Sequence, residues 1–219
     1  MKKLGLIVAI FCIGAFVTNV FATNLILNGS FEQSIYSETP GYSFKTLTAG
    51  TGNATAINNW TVNSGSIDYI YNYWQASDGK YSLDMSGAVA GGIQLSQSIN
   101  TVLGKQYLVS FDMAGNPDNK ATGVIKTLEV AVAGISNTFT FDVTSTDKSN
   151  MGWQTNSFIF TASGTSTILN FKSLTNTPYG PALDNVSVTQ VVPEPGTCLL
   201  LGVGLVGIGA IQIKRRKQK

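Results

Sequence analysis

The sequence predicts an all-β fold, a two-sheet antiparallel sandwich of jelly-roll type, flanked by an N-terminal signal peptide and a C-terminal transmembrane helix. The first observation is a set of short runs in which apolar side chains recur with a period of two. The second is the density of turn-forming pairs between these runs. The third is the lack of a long amphipathic helical pattern between the terminal segments. We therefore expect one β domain at residues 23–190.

The N-terminal segment, residues 1–22, has the pattern of a secretory signal peptide. Met1, Lys2 and Lys3 form a positively charged start, residues 4–17 are apolar, and a Val-Phe-Ala sequence ending at Ala22 suits cleavage. We expect export from the cytoplasm and a mature chain that begins at Thr23.

The expected strands lie in the middle of the chain. Every second residue from 107 to 113 is Tyr, Val, Phe or Met, and the same period occurs at 128–132, 139–143, 169–171 and 186–188. Turn signals separate these runs, at Asn28-Gly29, Asp78-Gly79, Ser86-Gly87, Asn116-Pro117-Asp118 and Ser163-Gly164. Such spacing is typical of an antiparallel sandwich.

The overall charge of +2 hides an acidic domain. Seven of the 14 basic residues lie in the terminal segments, as does one of the 12 acidic residues, Glu194. Residues 23–192 therefore hold seven basic and 11 acidic side chains, a net charge of −4. Nucleic-acid binding needs a basic patch, so we expect no nucleic-acid partner.

The positions of the two cysteines and the lack of histidine exclude several kinds of site. The two cysteines, Cys12 and Cys198, fall in the apolar terminal segments, so the domain has no disulfide. The chain has no histidine. This excludes Ser-His-Asp and Cys-His catalysis, and also imidazole-ligated zinc.

The C-terminal segment, residues 191–219, combines three features. Pro193-Glu194-Pro195 precedes an apolar run at 197–213, and a cluster of Lys and Arg follows at 214–219. A helix over the run is about 25 Å long, close to the thickness of a bilayer core. The basic cluster should stay in the cytoplasm, which places the domain outside the membrane.

These three features together resemble the PEP-CTERM sorting signal of Gram-negative bacteria. The resemblance implies an exosortase-type membrane transpeptidase that cuts near Pro193, Glu194 and Pro195, after transient anchoring of the chain in the inner membrane through 197–213. The alternative is an ordinary C-terminal anchor behind a Pro-rich linker.

The domain itself is similar to the choice-of-anchor C family, which is related to the DUF642 proteins and has a galactose-binding-like sandwich. Its sequence opens with Asn-Leu-Ile-Leu-Asn-Gly-Ser-Phe-Glu at 24–32 and closes with Gly-Pro-Ala-Leu-Asp-Asn-Val-Ser-Val at 180–188. Further motifs of the resemblance lie at residues 65–70, 73–74, 77–84, 114–118 and 151–153.

Asp184 is the most informative carboxylate. In a regular strand it would share the core side with Val186 and Val188, where an unpaired charge is costly. The resemblance implies a structural Ca²⁺ between Glu32 and Asp184, with Asp78 and the carbonyl of Gly79 as further ligands. The alternative is that Asp184 caps a turn through backbone N–H groups.

An aromatic run suggests glycan binding. Tyr69, Tyr71 and Tyr73 would share one face of an extended segment, with Trp74 beside them and Asp68 available for sugar hydroxyls. Asn72 and Gln75 are interleaved with the rings, and Trp60 lies upstream. The alternative is that these rings pack in the core.

The carboxylates also allow the hypothesis that the protein is an enzyme, because glycosidases use two acids in one cleft. The candidates are Asp68, Asp84, Asp112 and Asp118, and no spacing marks a pair. We therefore expect a non-catalytic exported protein at the cell surface or in the extracellular matrix, where it binds exopolysaccharide or other glycans. The alternatives are a polysaccharide-degrading hydrolase and a structural matrix protein with a protein partner.

Overall fold

The computed structural model describes residues 23–37, 41–88 and 94–192. The predicted signal peptide, the sorting motif at Pro193-Glu194-Pro195 and the apolar run at 197–213 lie outside these residues. The described part contains eleven strands: β1 Phe44–Thr48, β2 Thr61–Ser64, β3 Ser66–Ile70, β4 Ser82–Asp84, β5 Gln94–Asn100, β6 Gln106–Gly115, β7 Ile125–Val132, β8 Ile135–Asp142, β9 Gln154–Thr161, β10 Ser166–Ser173 and β11 Pro181–Gln190. Its helical structure is a 3₁₀ turn at Lys120–Thr122.

The strands form two antiparallel sheets. A six-stranded sheet has the order β1-β3-β4-β11-β6-β9, and a five-stranded sheet has the order β2-β5-β10-β7-β8. This confirms the predicted all-β, two-sheet antiparallel sandwich, and all five period-two runs lie in strands or at a strand end. The finer assignment to a galactose-binding-like jelly roll stays a prediction.

The core lies between the sheets and is rich in aromatic rings. Phe111 of β6 meets Phe171 of β10 with a centroid distance of 5.5 Å, so the odd-numbered residues of β6 face the other sheet. Trp60 extends this cluster, with its ring centroid 6.2 Å from that of Phe171. The ring of Phe31 follows, 5.4 Å from that of Trp60. Burial of each such side chain stabilises the fold by about 1.5–3 kcal/mol.

The first residues of the domain close against its last strand. Leu25 donates its backbone N–H to Val188 O at 2.8 Å, and Val186 donates to Gly29 O at 2.9 Å. A Cβ atom at Gly29 would lie 1.9 Å from the carbonyl oxygen of Val186, so only glycine permits this approach. The opening and closing motifs thus form one structural unit.

A β-bulge in β11 decides which way Asp184 points. The pairing with β6 shifts between Asp184 and Ser187, and Asn185 has a φ of 49°. Asp184 pairs directly with Asp112, whose side chain points away from the core face that holds Phe111. The expectation that Asp184 shares the side of Val188 is therefore wrong, because the extra residue reverses the alternation.

We call the side of the six-stranded sheet that faces away from the core the outer face. Direct cross-strand partners share a face, so the registers place one row of side chains across it: Thr46, Asp68, Asp84, Ala182 and Ala114. A neighbouring row includes Phe44, Ile70 and Ser82, and further along Asp184, Asp112 and Thr155. Four aspartates therefore lie on one face of one sheet.

Candidate functional site

Residues 71–81, which join β3 to β4, fold over the outer face, and we call them the covering loop. Trp74 donates its indole N–H to Ser82 Oγ at 2.9 Å. Ser77 donates its hydroxyl to Asp112 Oδ2 at 2.6 Å. Trp153 supports the loop from outside through a 2.9 Å hydrogen bond from its indole N–H to Gln75 O. The loop and the sheet thus enclose polar side chains that a bare sheet face would leave in water.

Two carboxylates hold the end of the covering loop. Asp184 Oδ2 accepts hydrogen bonds from the N–H groups of Ser77 and Asp78, at 2.7 and 2.9 Å. Glu32 Oε1 accepts from the N–H groups of Lys80 and Tyr81, also at 2.7 and 2.9 Å. Charge-assisted hydrogen bonds of this kind are stronger than neutral ones.

This geometry bears on the calcium hypothesis. Glu32, Asp184, Asp78 and Gly79 do lie together, as the resemblance implies, but the contacts are those of the turn-capping alternative. Backbone N–H groups point at Glu32 and Asp184, and a cation would face those same dipoles. Within 23–37, 41–88 and 94–192, no three Asp, Glu, His or Cys side chains group as metal ligands would. These contacts favour the turn-capping alternative, and the Ca²⁺ site stays a prediction.

The predicted aromatic face is divided by the end of β3. Tyr69 is fully buried, donates its hydroxyl to Phe31 O at 2.8 Å and stacks on Tyr81 at 5.1 Å. Tyr71 is buried too and meets Tyr69 edge-on at 5.5 Å. The expectation that Tyr69, Tyr71 and Tyr73 share an exposed face is wrong, because the period of two stops where the chain leaves the sheet at Ile70.

Trp60, the upstream ring of the glycan hypothesis, also belongs to the core. It is 1 % exposed and donates its indole N–H to Asn28 O at 2.9 Å. Asn72 and Gln75 are exposed on the covering loop. Core packing, the alternative left open by the sequence, therefore describes Trp60, Tyr69 and Tyr71.

The remaining predicted residues, Asp68, Tyr73 and Trp74, line a cleft of ≈ 310 Å³ on the outer face. Its other walls come from β1, β3 and β4 and from the segments around residues 87, 116 and 178: Phe44, Thr46, Ile70, Asp84, Gly87, Ala88, Asn116, Pro178 and Tyr179. This volume is at the lower end of the range for small-molecule sites.

Two aspartates form the floor of the cleft. Asp68 and Asp84 are direct partners across β3 and β4. Asp68 is half-buried and accepts a 2.6 Å hydrogen bond from Thr46 Oγ1. Burial raises the pKa of Asp68 above its usual value, although the hydrogen bond from Thr46 lowers it.

Asp84 is buried and is held by three hydrogen bonds. Its Oδ1 accepts from the N–H groups of Ser86 at 2.9 Å and Gly180 at 3.0 Å, and its Oδ2 accepts from Asn116 Nδ2 at 2.8 Å. Desolvation by burial raises the pKa of Asp84 to about 8, against the effect of these donors. Desolvation likewise raises the pKa of Asp184 to about 7.

The aromatic wall is fixed by an ionic cluster behind it. Tyr73 donates its hydroxyl to Asp118, and Lys148 Nζ lies 3.7 Å from the centre of the Tyr73 ring. Lys148 also pairs with Asp118 Oδ2 at 3.0 Å. Tyr73 then meets Trp74 at 5.7 Å and Phe44 edge-on at 5.5 Å. Three rings are thus positioned around the opening above Asp68.

Sequence reasoning found only part of this cleft. The sequence gives no reason to place Phe44, Asn116 or Tyr179 in the same site as the aromatic run. These residues come together only through strand register and loop packing. Sequence reasoning named Asp68 and Asp84 among possible acids but could not pair them. Alternation in 44–48 and 66–70 was the available signal, since it places Phe44 and Asp68 on one face once β1 and β3 are paired.

Among the described residues, no helix is both long and apolar enough to span a bilayer.

The chain is similar to several known proteins. Halomucin of Haloquadratum walsbyi is 31% identical over 183 residues, which cover 80% of this chain and 2% of that protein, so the chain spans a small fraction of its relative. A cyclase from Fischerella sp. TAU is 15% identical, with a TM-score of 0.51 over 80% of this chain and 100% of the cyclase. At that identity the likeness concerns the fold alone.

Other solved structures have lower scores. TmCBM61, solved with β-1,4-galactotriose, is 16% identical with a TM-score of 0.47, over 78% of this chain and 100% of that one. The CBM22-1 xylan-binding domain of Paenibacillus barcinonensis Xyn10C is 18% identical with a TM-score of 0.43, over 68% of this chain and 95% of that one.

Two family models match the chain, one after the other. Residues 191–216 match the PEP-CTERM protein-sorting motif, which confirms the predicted sorting signal and indicates an exported protein that is processed at the membrane. The choice-of-anchor C name stays a prediction. Residues 24–189, which include both sheets except the last residue of β11, match the model described as "Protein of unknown function (DUF642)", and the chain therefore belongs to the DUF642 family.

Proposed function

We propose that this protein is a non-catalytic glycan-binding module that acts outside the cytoplasm, at the cell surface or in the extracellular matrix. The observation that supports this best is the cleft on the outer face, which is lined by Phe44, Tyr73 and Trp74 together with Asp68. Sugar rings present C–H groups on their faces and hydroxyls at their edges. Aromatic side chains suit the faces, and carboxylate and amide groups suit the hydroxyls.

Pre-organisation of the cleft supports binding. Tyr73 is held by Asp118 and Lys148, Trp74 by Ser82, and Asp84 by three donors. Side chains that are already ordered lose little conformational freedom when a ligand arrives, so more of the contact energy appears as affinity.

A glycan array with the full chain in detergent tests the proposal, followed by calorimetry on the best ligand. Replacement of the cleft ring in Phe44→Ala should weaken binding about tenfold, equivalent to about 1.4 kcal/mol. Tyr42→Ala is the matched control, because Tyr42 is 68% exposed and does not line the cleft. Failure to retain any glycan, or equal losses in both variants, would contradict the proposal.

A hydrolase is the second candidate, because Asp68 and Asp84 face each other and burial raises the pKa of both. Paired acids with raised pKa values are found in glycosidases. The three hydrogen bonds to Asp84 favour a structural role for that acid instead. Turnover of a polysaccharide that Asp68→Asn abolishes would favour the hydrolase.

The sorting signal supports a proposed partner and a final location. An exosortase-type transpeptidase would cut near Pro193-Glu194-Pro195 after 197–213 has anchored the chain in the inner membrane of a Gram-negative bacterium. Mass spectrometry of protein recovered from the native envelope would show the new C-terminus. An intact C-terminal Lys219 in mature protein would contradict this processing.

A further inference from the structure

We infer that the cleft selects glycans bearing a protonated primary amine, that is, amino sugars without an N-acetyl group, over neutral and acidic sugars. This inference rests on the proposed glycan-binding function and specifies the chemistry of its ligand. It follows from the charge of the cleft floor, the rings that line the cleft and the lack of lysine or arginine in its described lining.

The cleft is acidic and lacks its own cation. Its described lining includes Asp68 and Asp84 and contains no Lys or Arg. Thr46 Oγ1 donates a hydrogen bond to Oδ1 of the Asp68 carboxylate at 2.6 Å. A half-buried carboxylate in this setting is stabilised by an incoming positive charge, and desolvation strengthens the attraction.

Two lysines that do not line the cleft, Lys148 and Lys126, are engaged elsewhere. Lys148 lies over the Tyr73 ring and pairs with Asp118 at 3.0 Å. Lys126 is buried, and its Nζ donates to Gly123 O at 2.9 Å. Neither is among the lining residues, so an incoming cation would not compete with a lysine already on Asp68.

Aromatic rings complete a cation site. Phe44, Tyr73, Trp74 and Tyr179 line the same cleft as the two aspartates. Ring faces attract ammonium groups, and this attraction grows when the cation is partly removed from water. Rings alone would suit any sugar face, but rings together with unpaired carboxylate favour an amine.

Acidic and acetylated sugars fit less well. A uronate or sulfate group would meet the Asp68 carboxylate without a basic residue to pair with it, and like charges repel. An N-acetyl group brings no positive charge to the carboxylates. Selectivity of this kind comes as much from the rejected ligands as from the preferred one.

Calorimetry with the full chain in detergent tests the inference with three oligosaccharides of equal length at pH 6: glucosamine, N-acetylglucosamine and galacturonate. We expect the glucosamine oligomer to bind at least about tenfold more tightly than the other two, the effect of one desolvated ion pair. Asp68→Asn should reduce that preference to about twofold or less, since the amide keeps an acceptor for Thr46 but loses the charge.

The matched control is Asp142→Asn, which removes one negative charge from an exposed aspartate at the end of β8. It should leave the preference unchanged. Equal losses in the two variants would overturn the inference, because they would show non-specific attraction to an acidic protein. Equal affinity of the native chain for glucosamine and N-acetylglucosamine oligomers would overturn it too and leave glycan binding intact. Absence of binding to all three oligomers would overturn the inference, and absence across a broad array would remove the proposed function.

Discussion

The two sheets differ in how far the side that faces away from the core is exposed to solvent. On the five-stranded sheet the alternation is regular: in β10 every second residue from Thr167 is buried, and the residues between are exposed or half-exposed. β7 follows the same rule along its whole length. One face of this sheet packs in the core and the other is wet, as in an ordinary antiparallel sheet.

The six-stranded sheet loses this alternation at one end. All three residues of β4 are buried, as are the last five of β6 and the first four of β11. The covering loop and its neighbours enclose this end, although four aspartates point into it. Burial of charge without a cation is costly, so Asp84 and Asp184 depend on the hydrogen-bond donors that surround them.

The largest expected effect comes from removal of the carboxylate that caps the covering loop. Asp184→Ala leaves the N–H groups of Ser77 and Asp78 without their acceptor and should lower the free energy of unfolding by about 3 kcal/mol. Urea denaturation measures this. Asp142→Ala is the control, because its carboxylate caps the local N–H of Thr144 in solvent and should matter much less. Equal effects would remove the distinction between the two faces.

The pH dependence should show the second largest effect. Burial raises the folded-state pKa of Asp84 to about 8 and that of Asp184 to about 7, from 3.8 in both cases. The folded state therefore binds more protons than the unfolded state between pH 4 and 8, and stability falls as pH rises through this window. The loss should be on the order of 1 kcal/mol per pH unit between pH 6 and 8.

Thermal unfolding between pH 5 and 9 measures this slope, and Asp84→Asn should reduce it. At the end of β8 and in the segment after it, hydrogen bonds from Thr144 and Ser149 instead lower the pKa values of Asp142 and Asp147. Those two groups lose stabilising contacts only in strong acid, so they do not affect the window above pH 4. A melting temperature that rises from pH 6 to 8 would contradict the assignment.

Two glycines allow the same comparison of enclosed and exposed regions, with a smaller expected change in the free energy of unfolding. Gly79 in the covering loop has a φ of 69°, and a Cβ atom there would lie 2.3 Å from Glu32 Oε1. Gly134, in the turn between β7 and β8, has a φ of 81° and no atom within 4 Å of that position. Gly134→Ala should cost about 1 kcal/mol from backbone strain alone. Gly79→Ala should cost about 1 kcal/mol more, because it also displaces Glu32.

The smallest expected effect concerns calcium. Because N–H groups already satisfy Glu32 and Asp184, excess chelator should shift the melting temperature by less than about 1 °C. Differential scanning calorimetry with and without added Ca²⁺ measures this. A fall of several degrees on chelation would show that a cation reorganises the covering loop, and would restore the hypothesis based on the resemblance.

Much of the fold was predictable because strand patterns are local. The period of two placed Val109, Phe111 and Phe171 in the core correctly, since alternate side chains of any paired strand share a face. The same rule failed for Asp184, where a bulge reverses the face, and for Tyr73, which lies beyond the end of β3 and lines the outer face instead of packing with Tyr69. Local patterns do not show where a strand stops or gains a residue.

The sequence alone determined the two-sheet β domain and the sorting motif, because period-two alternation and a Pro-Glu-Pro motif with its flanking residues can be recognised in a linear chain. Only the tertiary structure decided that Asp68 faces Asp84, that Phe44 lies beside Tyr73, and that Glu32 and Asp184 both hold the C-terminal end of the covering loop. The physical reason is that these contacts join residues far apart in the chain. They form through strand register and loop closure, which depend on the energy of the whole core rather than on any single segment.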